Sequence, residues 1–506
     1  MATNPNDTII SEFNDICRRL LESAVNSEPG RSAFEMEKLT FSTLLEIGAA
    51  TMRAYFATQA AHYRQDVVTD PEGRIMHYRG ERRGRYYSIY GDIDFWRSYC
   101  CGDGEGFHAM DAGLNLPKTG QSDYARIMVE ELANDMSFEK ATAFLAKYFR
   151  MHASTRAVQQ AIMTDSQDAE AYYAQATAPP ICQEATILAV EADNKGVPVV
   201  KADRVNPPAE EPSCGRPKGG RKRDGKTRDS TVISVSTHIP FMRTPEQVRD
   251  SLFRERESTD RPYDGSREKP VFKRTWATMK GKKAALAQAA IWTQLLDNLA
   301  IVYRIALTDG ADALQRRVDE QFPGFIRILD LIHAIQYLWK AADAQFGKGT
   351  SNASNWVYNA VLRMLQGHTH QIIAELDAWL AQIDDSQAAR WKPIETSATY
   401  FEKNLHAMKY NEYLENGWPV ATGIIEGACR NVVKDRCEQS GMKWTLVGVE
   451  AFLHLRCILQ NGDWEDYHAF RIKRRHETVY GITSPAGSVS DTVIFHSDSK
   501  AYARAA

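Results

Sequence analysis

The sequence predicts an α/β protein, with an α/β core interrupted or followed by helices and preceded by helical and small β-rich regions. Three observations predict it. Short apolar strand candidates alternate with helical patterns across residues 181–345. A stretch of mostly helical periodicity, 346–416, follows them. An aromatic, alternating, glycine-broken segment, 65–120, stands apart from the helices on either side.

Residues 1–64 form an N-terminal helical region, with helices expected over 7–25 and 31–64. Ile10, Phe13, Ile16, Cys17, Leu20 and Leu21 recur at helical spacing, and the string Asn26-Ser27-Glu28-Pro29-Gly30 punctuates the pair. In the β-rich region, Arg85 through Tyr99 reads as a hairpin turning near Gly91-Asp92. Residues 121–176 return to helix. Phe138, Ala141, Phe144 and Leu145 precede a break at Arg150-Met151-His152. Ser154, as N-cap, then opens a second short helix through Val158 and Ile162. The pair fits helix-turn-helix geometry and fits an ordinary helical hairpin equally well.

Pro179-Pro180 ends the helical part. Four strands are expected after it: Ala185–Asp193, Ser230–Ser236, Ala300–Leu307 and Phe325–Leu329, with a helix at about 282–298. Residues 417–480 bring further helices, and 481–506, rich in Ser, Gly and Ala, reads as a loose tail.

Composition narrows the function. The 506 residues carry a net charge of −3, so bulk charge points to neither nucleic acid nor membrane. There is no apolar run of spanning length. Met1–Asp7 lacks the basic start and apolar core of a signal peptide. The eight cysteines are scattered without a C-x-x-C pair, a pattern of cytosolic chains. No phosphate-cradling glycine loop or nucleophile motif is present, which disfavours a metabolic α/β enzyme.

Acids fall where such a sheet would use them. Asp193 and Asp309 each end a strand candidate, followed closely by Gly196 and Gly310. Strand C-termini are where open sheets bind ligands, although Asp-Gly is also ordinary turn chemistry. Glu426 lies on a helical segment whose core stripe is Ile425, Cys429, Val432 and Val433. Arg430 and Lys434 follow it at i+4 and i+8. The ridge suits a site that holds a metal and grips phosphates, or a solvated ion-pair ridge. Gly423 and Gly427 lower helix propensity there without an evident packing reason. In the segment Ile328–Trp339, Leu331, Ile335, Leu338 and Trp339 form the buried stripe, while Asp330, His333 and Tyr337 share another face.

These segments, in this order, resemble DDE-type insertion-sequence transposases of the ISKra group, which are related to Mutator-like transposases. The matching strings are Ala192–Pro198, Leu307–Ala311, Ile328–His333 and Tyr400–Asn404. The densest match is Tyr410–Tyr413 with Gly417–Cys429, running through Lys434-Asp435-Arg436 to Ser440–Trp444. The resemblance spans roughly 85–480. Two features depart from it: Ala421-Thr422-Gly423 stands where relatives usually carry Gly-Ser-Gly, and Cys100-Cys101 are adjacent rather than spaced, so no zinc site is carried over.

The resemblance implies an RNase H-like catalytic core, 181–345 and 417–480, with 346–416 as an all-helical insertion. It implies that Asp193, Asp309 and Glu426 are the catalytic acids, holding Mg²⁺ or Mn²⁺ for DNA cleavage at element ends and strand transfer to target DNA. Asp330 and His333 would match a D-x-x-H element near those acids without being among them. Arg430, Lys434 and the basic loop with Arg221, Lys222 and Arg223 become candidates for DNA contact, as does the Arg471–Arg475 cluster. Trp444 is a candidate for base stacking or for the core. A homodimer or higher oligomer and a bacterial, cytoplasmic, nucleoid-associated location follow from the same resemblance. Two rivals stand: a nuclease on the same fold, and a DNA-binding regulator whose catalytic site has decayed.

Overall fold

A computed structural model describes residues 5–26, 30–102, 104–204, 226–253, 269–383 and 388–481 of the chain. Arg221, Lys222, Arg223 and the segment after residue 481 lie outside the described residues. The protein is mixed α/β with two sheets. It divides into two compact units, Met1–Ala161 with Glu465–Ala506, and Ile162–Trp464.

In the first unit, helices Pro5–Val25 and Ala33–His62 precede the sheet. A capping box starts the second: Ser32 accepts from the Glu35 backbone N–H, and the Glu35 carboxylate reaches back to the Ser32 backbone. Strands β1 (Val67–Thr69), β2 (Ile75–Ser88), β3 (Gly91–Gly102) and β4 (Glu105–Phe107) form an antiparallel sheet in that order. The hairpin turns at Ile89-Tyr90, just before the expected position, because Ser88 already pairs with Gly91. Phe56 stacks on Phe95 with ring centroids 4.4 Å apart, fastening helix to sheet.

Helices Asp123–Asp135, Phe138–Tyr148 and Thr155–Asp165 follow. Ser154 caps the last, its hydroxyl accepting from the Ala157 N–H at 3.1 Å. The helix Trp464–Tyr480 belongs to this unit: the Arg475 guanidinium donates to the Asp123 carboxylate at 2.7 and 2.8 Å. Arg471 is also buried and within 3.4 Å of Asp123. Two members of the Arg471–Arg475 cluster, a candidate for DNA contact, are therefore engaged with Asp123 within this unit.

The second unit holds the larger sheet: β5 (Ile187–Pro198), β6 (Thr227–His238), β7 (Phe272–Thr278), β8 (Tyr303–Thr308) and β9 (Ile326–Leu329). Its order is β7-β6-β5-β8-β9. The β5–β6 and β6–β7 pairings are antiparallel, and β5–β8 and β8–β9 are parallel. Near-continuous apolar runs are what strands covered on both faces require, and Ile187, Leu188, Ala189 and Val190 are all buried. Residues two apart share a face. Ile187 and Ala189 accordingly join Ile305, Leu307 and Ile328 in a core with helices Leu331–Phe346, Ser351–Leu365, Thr369–Leu380 and Ala388–Asn404. Strand β7 and helices Pro245–Leu252 and Asp312–Gln321 were not expected from periodicity. In β7 only Thr275–Thr278 is fully buried, so its alternation is too short to register. No helix among the described residues is long and apolar enough to cross a membrane.

Candidate active site

Asp193 does not end its strand, contrary to the sequence expectation. Strand β5 runs on to Pro198, paired antiparallel with β6, and Asp193 sits opposite Val232. What does end is the parallel pairing with β8, whose last partners are Glu191 and Leu307. Asp193 therefore lies just beyond the C-terminal edge of the parallel part. Asp309 follows β8 directly, on the same edge. Its Oδ1 accepts from the Ala311 N–H at 2.9 Å, and its carbonyl accepts from the Tyr400 hydroxyl at 2.9 Å. Gly310 adopts φ +87°, and a Cβ there would lie 2.9 Å from the Tyr400 ring. Glycine thus lets the chain turn tightly beneath Tyr400. Tyr400 itself stacks on Tyr337 at 3.7 Å.

The next strand delivers Asp330 as N-cap of Leu331–Phe346. Tyr410, from the densest resemblance motif, is fully buried and donates to the Leu329 carbonyl at 2.9 Å, holding the end of β9. Asp330 accepts from the N–H groups of Ile332, His333 and Thr422. Its Oδ2 also lies 2.6 Å from His333 Nδ1.

Glu426 rides on the short helix Gly423–Ala428. The first N–H groups of a helix have no partner within it. Here buried acids supply some: the Ile425 N–H donates to Glu191 Oε2 at 3.0 Å, and just ahead of the helix the Thr422 N–H donates to Asp330 Oδ1 at 2.9 Å. Glu191 was missed by the sequence reading. The signal was present, an acid inside Leu188-Ala189-Val190-Glu191-Ala192, since a buried carboxylate requires a partner. The Cys429 thiol donates to Asp193 Oδ2 at 3.6 Å, bringing the Glu426 segment back to β5 a second time.

Electrostatics link these groups. Burial raises the Asp193 carboxyl above its usual range, and the negative charge of Asp309 adds to the rise. Burial likewise raises Glu426, helped by Asp330 and Asp193. Burial also pushes on Asp330, but hydrogen bonds from His333 and Thr422 outweigh it and hold that carboxyl low. His333 is raised, first by its hydrogen bond to Asp330, with Asp309 and Asp193 contributing. Like charges that raise one another are what a bound cation relieves. Among the described residues, ligand atoms of Asp330, His333 and Glu426 lie within 4.8 Å of one another.

The expected ridge of one α-helix is not continuous. The chain is α-helical only to Ala428 and π-helical over Cys429–Lys434. The wider turn buries Cys429, Val432 and Val433 together, and π turns recur at functional sites. Arg430 is 74% exposed, with its Nε 3.5 Å from Asp435 Oδ1, and Lys434 is exposed. A Cβ added at Gly423 or Gly427 would meet nothing within 4 Å, so the backbone on both sides of Glu426 is open to close approach. Trp444 belongs to the core: it is buried, donates to the Cys437 carbonyl at 3.2 Å and stacks on Phe452.

No protein-family model and no curated protein matches the chain.

Proposed function

We propose that the chain is a DDE-type transposase with an RNase H-like core, cutting DNA at element ends and joining the freed ends to target DNA. One observation carries the reading. Asp193 and Asp309 leave the same edge of two adjacent parallel strands, and the Glu426 helix is hydrogen-bonded to β5 through Glu191 and Cys429. The strand order β7-β6-β5-β8-β9, with antiparallel β6, and the helices 351–415 between the second and third acids support the same architecture.

The donor set suits Mg²⁺ or Mn²⁺, since the carboxylates of Asp193, Asp309 and Glu426 are hard oxygen ligands, and burial together with nearby acids raises the proton affinity of Asp193 and Glu426. Such ions, when bound, activate an attacking oxygen and stabilise a leaving one. The chain's own groups do the rest. Arg430 and Lys434, exposed just past Glu426, are available to phosphate oxygens, and the bare backbone at Gly423 and Gly427 leaves room for a DNA strand. A water attacks the phosphodiester at the element end and frees a 3′-hydroxyl; that hydroxyl then attacks a target phosphodiester, joining to its phosphorus and expelling the target strand's 3′-oxygen as a hydroxyl. The helix pair Phe138–Tyr148 and Thr155–Asp165 is the candidate reader of the ends, and a dimer or larger assembly would bring two ends together.

The test uses labelled DNA carrying the element's ends, Mg²⁺, and full-length wild type beside Glu426→Gln. We expect cleaved and joined products from wild type, and retained DNA binding without products from the variant. Cleavage without joining would point to a nuclease. Binding without cleavage by wild type would point to a DNA-binding regulator.

A further inference from the structure

We infer that His333 is a nitrogen ligand of the divalent cation held beside Glu426, and that Asp330 is the positioning residue that aims it. The inference rests on the cation-dependent reading of this site.

Asp330, His333 and Glu426 offer ligand atoms within 4.8 Å of one another, which would permit all three to bind one ion. The hydrogen bonds separate their roles. An ionised carboxylate accepts at about four lone-pair positions, and four donors meet those of Asp330. Oδ1 accepts from the N–H of Ile332 at 3.3 Å and of Thr422 at 2.9 Å. Oδ2 accepts from the His333 N–H at 3.1 Å and lies 2.6 Å from His333 Nδ1. Asp330 is fully buried, and its oxygens are taken up by the chain.

The same bonds define the imidazole. A carboxylate can only accept, so Nδ1 carries the hydrogen, and a cation that displaces the proton from the other nitrogen meets the lone pair at Nε2. Metal-binding histidines commonly donate their second ring N–H to a carboxylate, which fixes tautomer and direction. Capping the helix needs Asp330 only for backbone N–H groups; the ring contact is additional. The side chain of His333 is 28% exposed, so the ring is reachable, and it feels the charges of Asp309 and Asp193 as well as Asp330. An imidazole nitrogen among carboxylates shifts preference from Mg²⁺, which favours an all-oxygen shell, toward Mn²⁺.

The test is pulsed electron paramagnetic resonance of Mn²⁺ added to the full-length protein, reading the ¹⁴N modulation of a coordinated imidazole. Wild type should show it. His333→Gln should lose it while still binding Mn²⁺ through the carboxylates. Asp330→Asn keeps a good N-cap and should weaken Mn²⁺ binding about 10- to 100-fold, the usual effect of removing a group that orients a ligand. Three results would overturn the inference: no Mn²⁺ bound at the site, Mn²⁺ that is lost in Glu426→Gln yet shows no nitrogen modulation in wild type, or modulation that persists in His333→Gln. The two readings fail separately. Nitrogen-coordinated Mn²⁺ with no DNA cleavage would sink the transposase reading alone, and cleavage without nitrogen modulation would sink the histidine ligand alone.

Discussion

A glutamate among buried aliphatics is tolerated only where its oxygens find donors, and Glu191 Oε2 accepts from the N–H of Ile425, the residue before Glu426. Replacing it with Ala leaves that N–H without this acceptor, at a cost of about 1–3 kcal/mol. Urea unfolding of Glu191→Ala should show the loss, and an unchanged midpoint would mean the bond contributes nothing. Glu426 is the opposite case. Glu426 is exposed, yet partial burial and the charges of Asp330 and Asp193 raise its carboxyl, so its ionisation opposes folding by a small, solvent-screened amount. In chelator at neutral pH, Glu426→Gln should melt higher than wild type. A raised acid binds its proton more tightly in the folded state, so wild-type stability falls as pH rises through that range. The advantage of Gln should accordingly shrink as pH falls toward the ordinary glutamate value. An advantage that grows on acidification would contradict the charge account.

At the scale of elements, the acids are carried by the backbone features beside them. Gly310 holds φ +87° against Tyr400, and a side chain there pays both for the left-handed backbone and for the overlap. Gly310→Ala should lose about 1–2 kcal/mol from the backbone alone, visible as a lower melting temperature, and DNA cleavage should fall with it because Asp309 is adjacent. Wild-type melting and cleavage in that variant would show the turn to be adaptable. Ser154→Ala removes the cap of Thr155–Asp165, at a cost of about 0.5–2 kcal/mol. If that helix reads DNA, affinity for element ends should drop in a gel-shift assay, and equal affinity would move recognition elsewhere.

Much of this was legible in the chain. Short apolar runs marked β5, β8 and β9, the β-rich run Ser230–Ser236 marked β6, and Gly310 marked the turn after Asp309. The unseen parts share a physical cause. Strand β7 buries too few residues to alternate visibly. The continuation of β5 past Asp193 depends on a partner, β6, distant in sequence. The π turn at Cys429–Lys434 leaves no periodic trace in so short a segment.

For the whole molecule, the proposed function makes Asp193, Asp309 and Glu426 act as one unit, carried by β5, the turn after β8 and a helix that the chain separates widely. Groups that act as a unit lose function non-additively: removing one costs about as much as removing all. The most direct measurement is therefore the Mg²⁺-dependent cleavage rate on element-end DNA for Asp193→Asn, Asp309→Asn and Glu426→Gln, singly and combined, with DNA binding monitored in each. Each single variant should fall to the level of the triple variant while still binding DNA. A single variant that keeps substantial cleavage, or losses that multiply from one variant to the next, would contradict the proposed function.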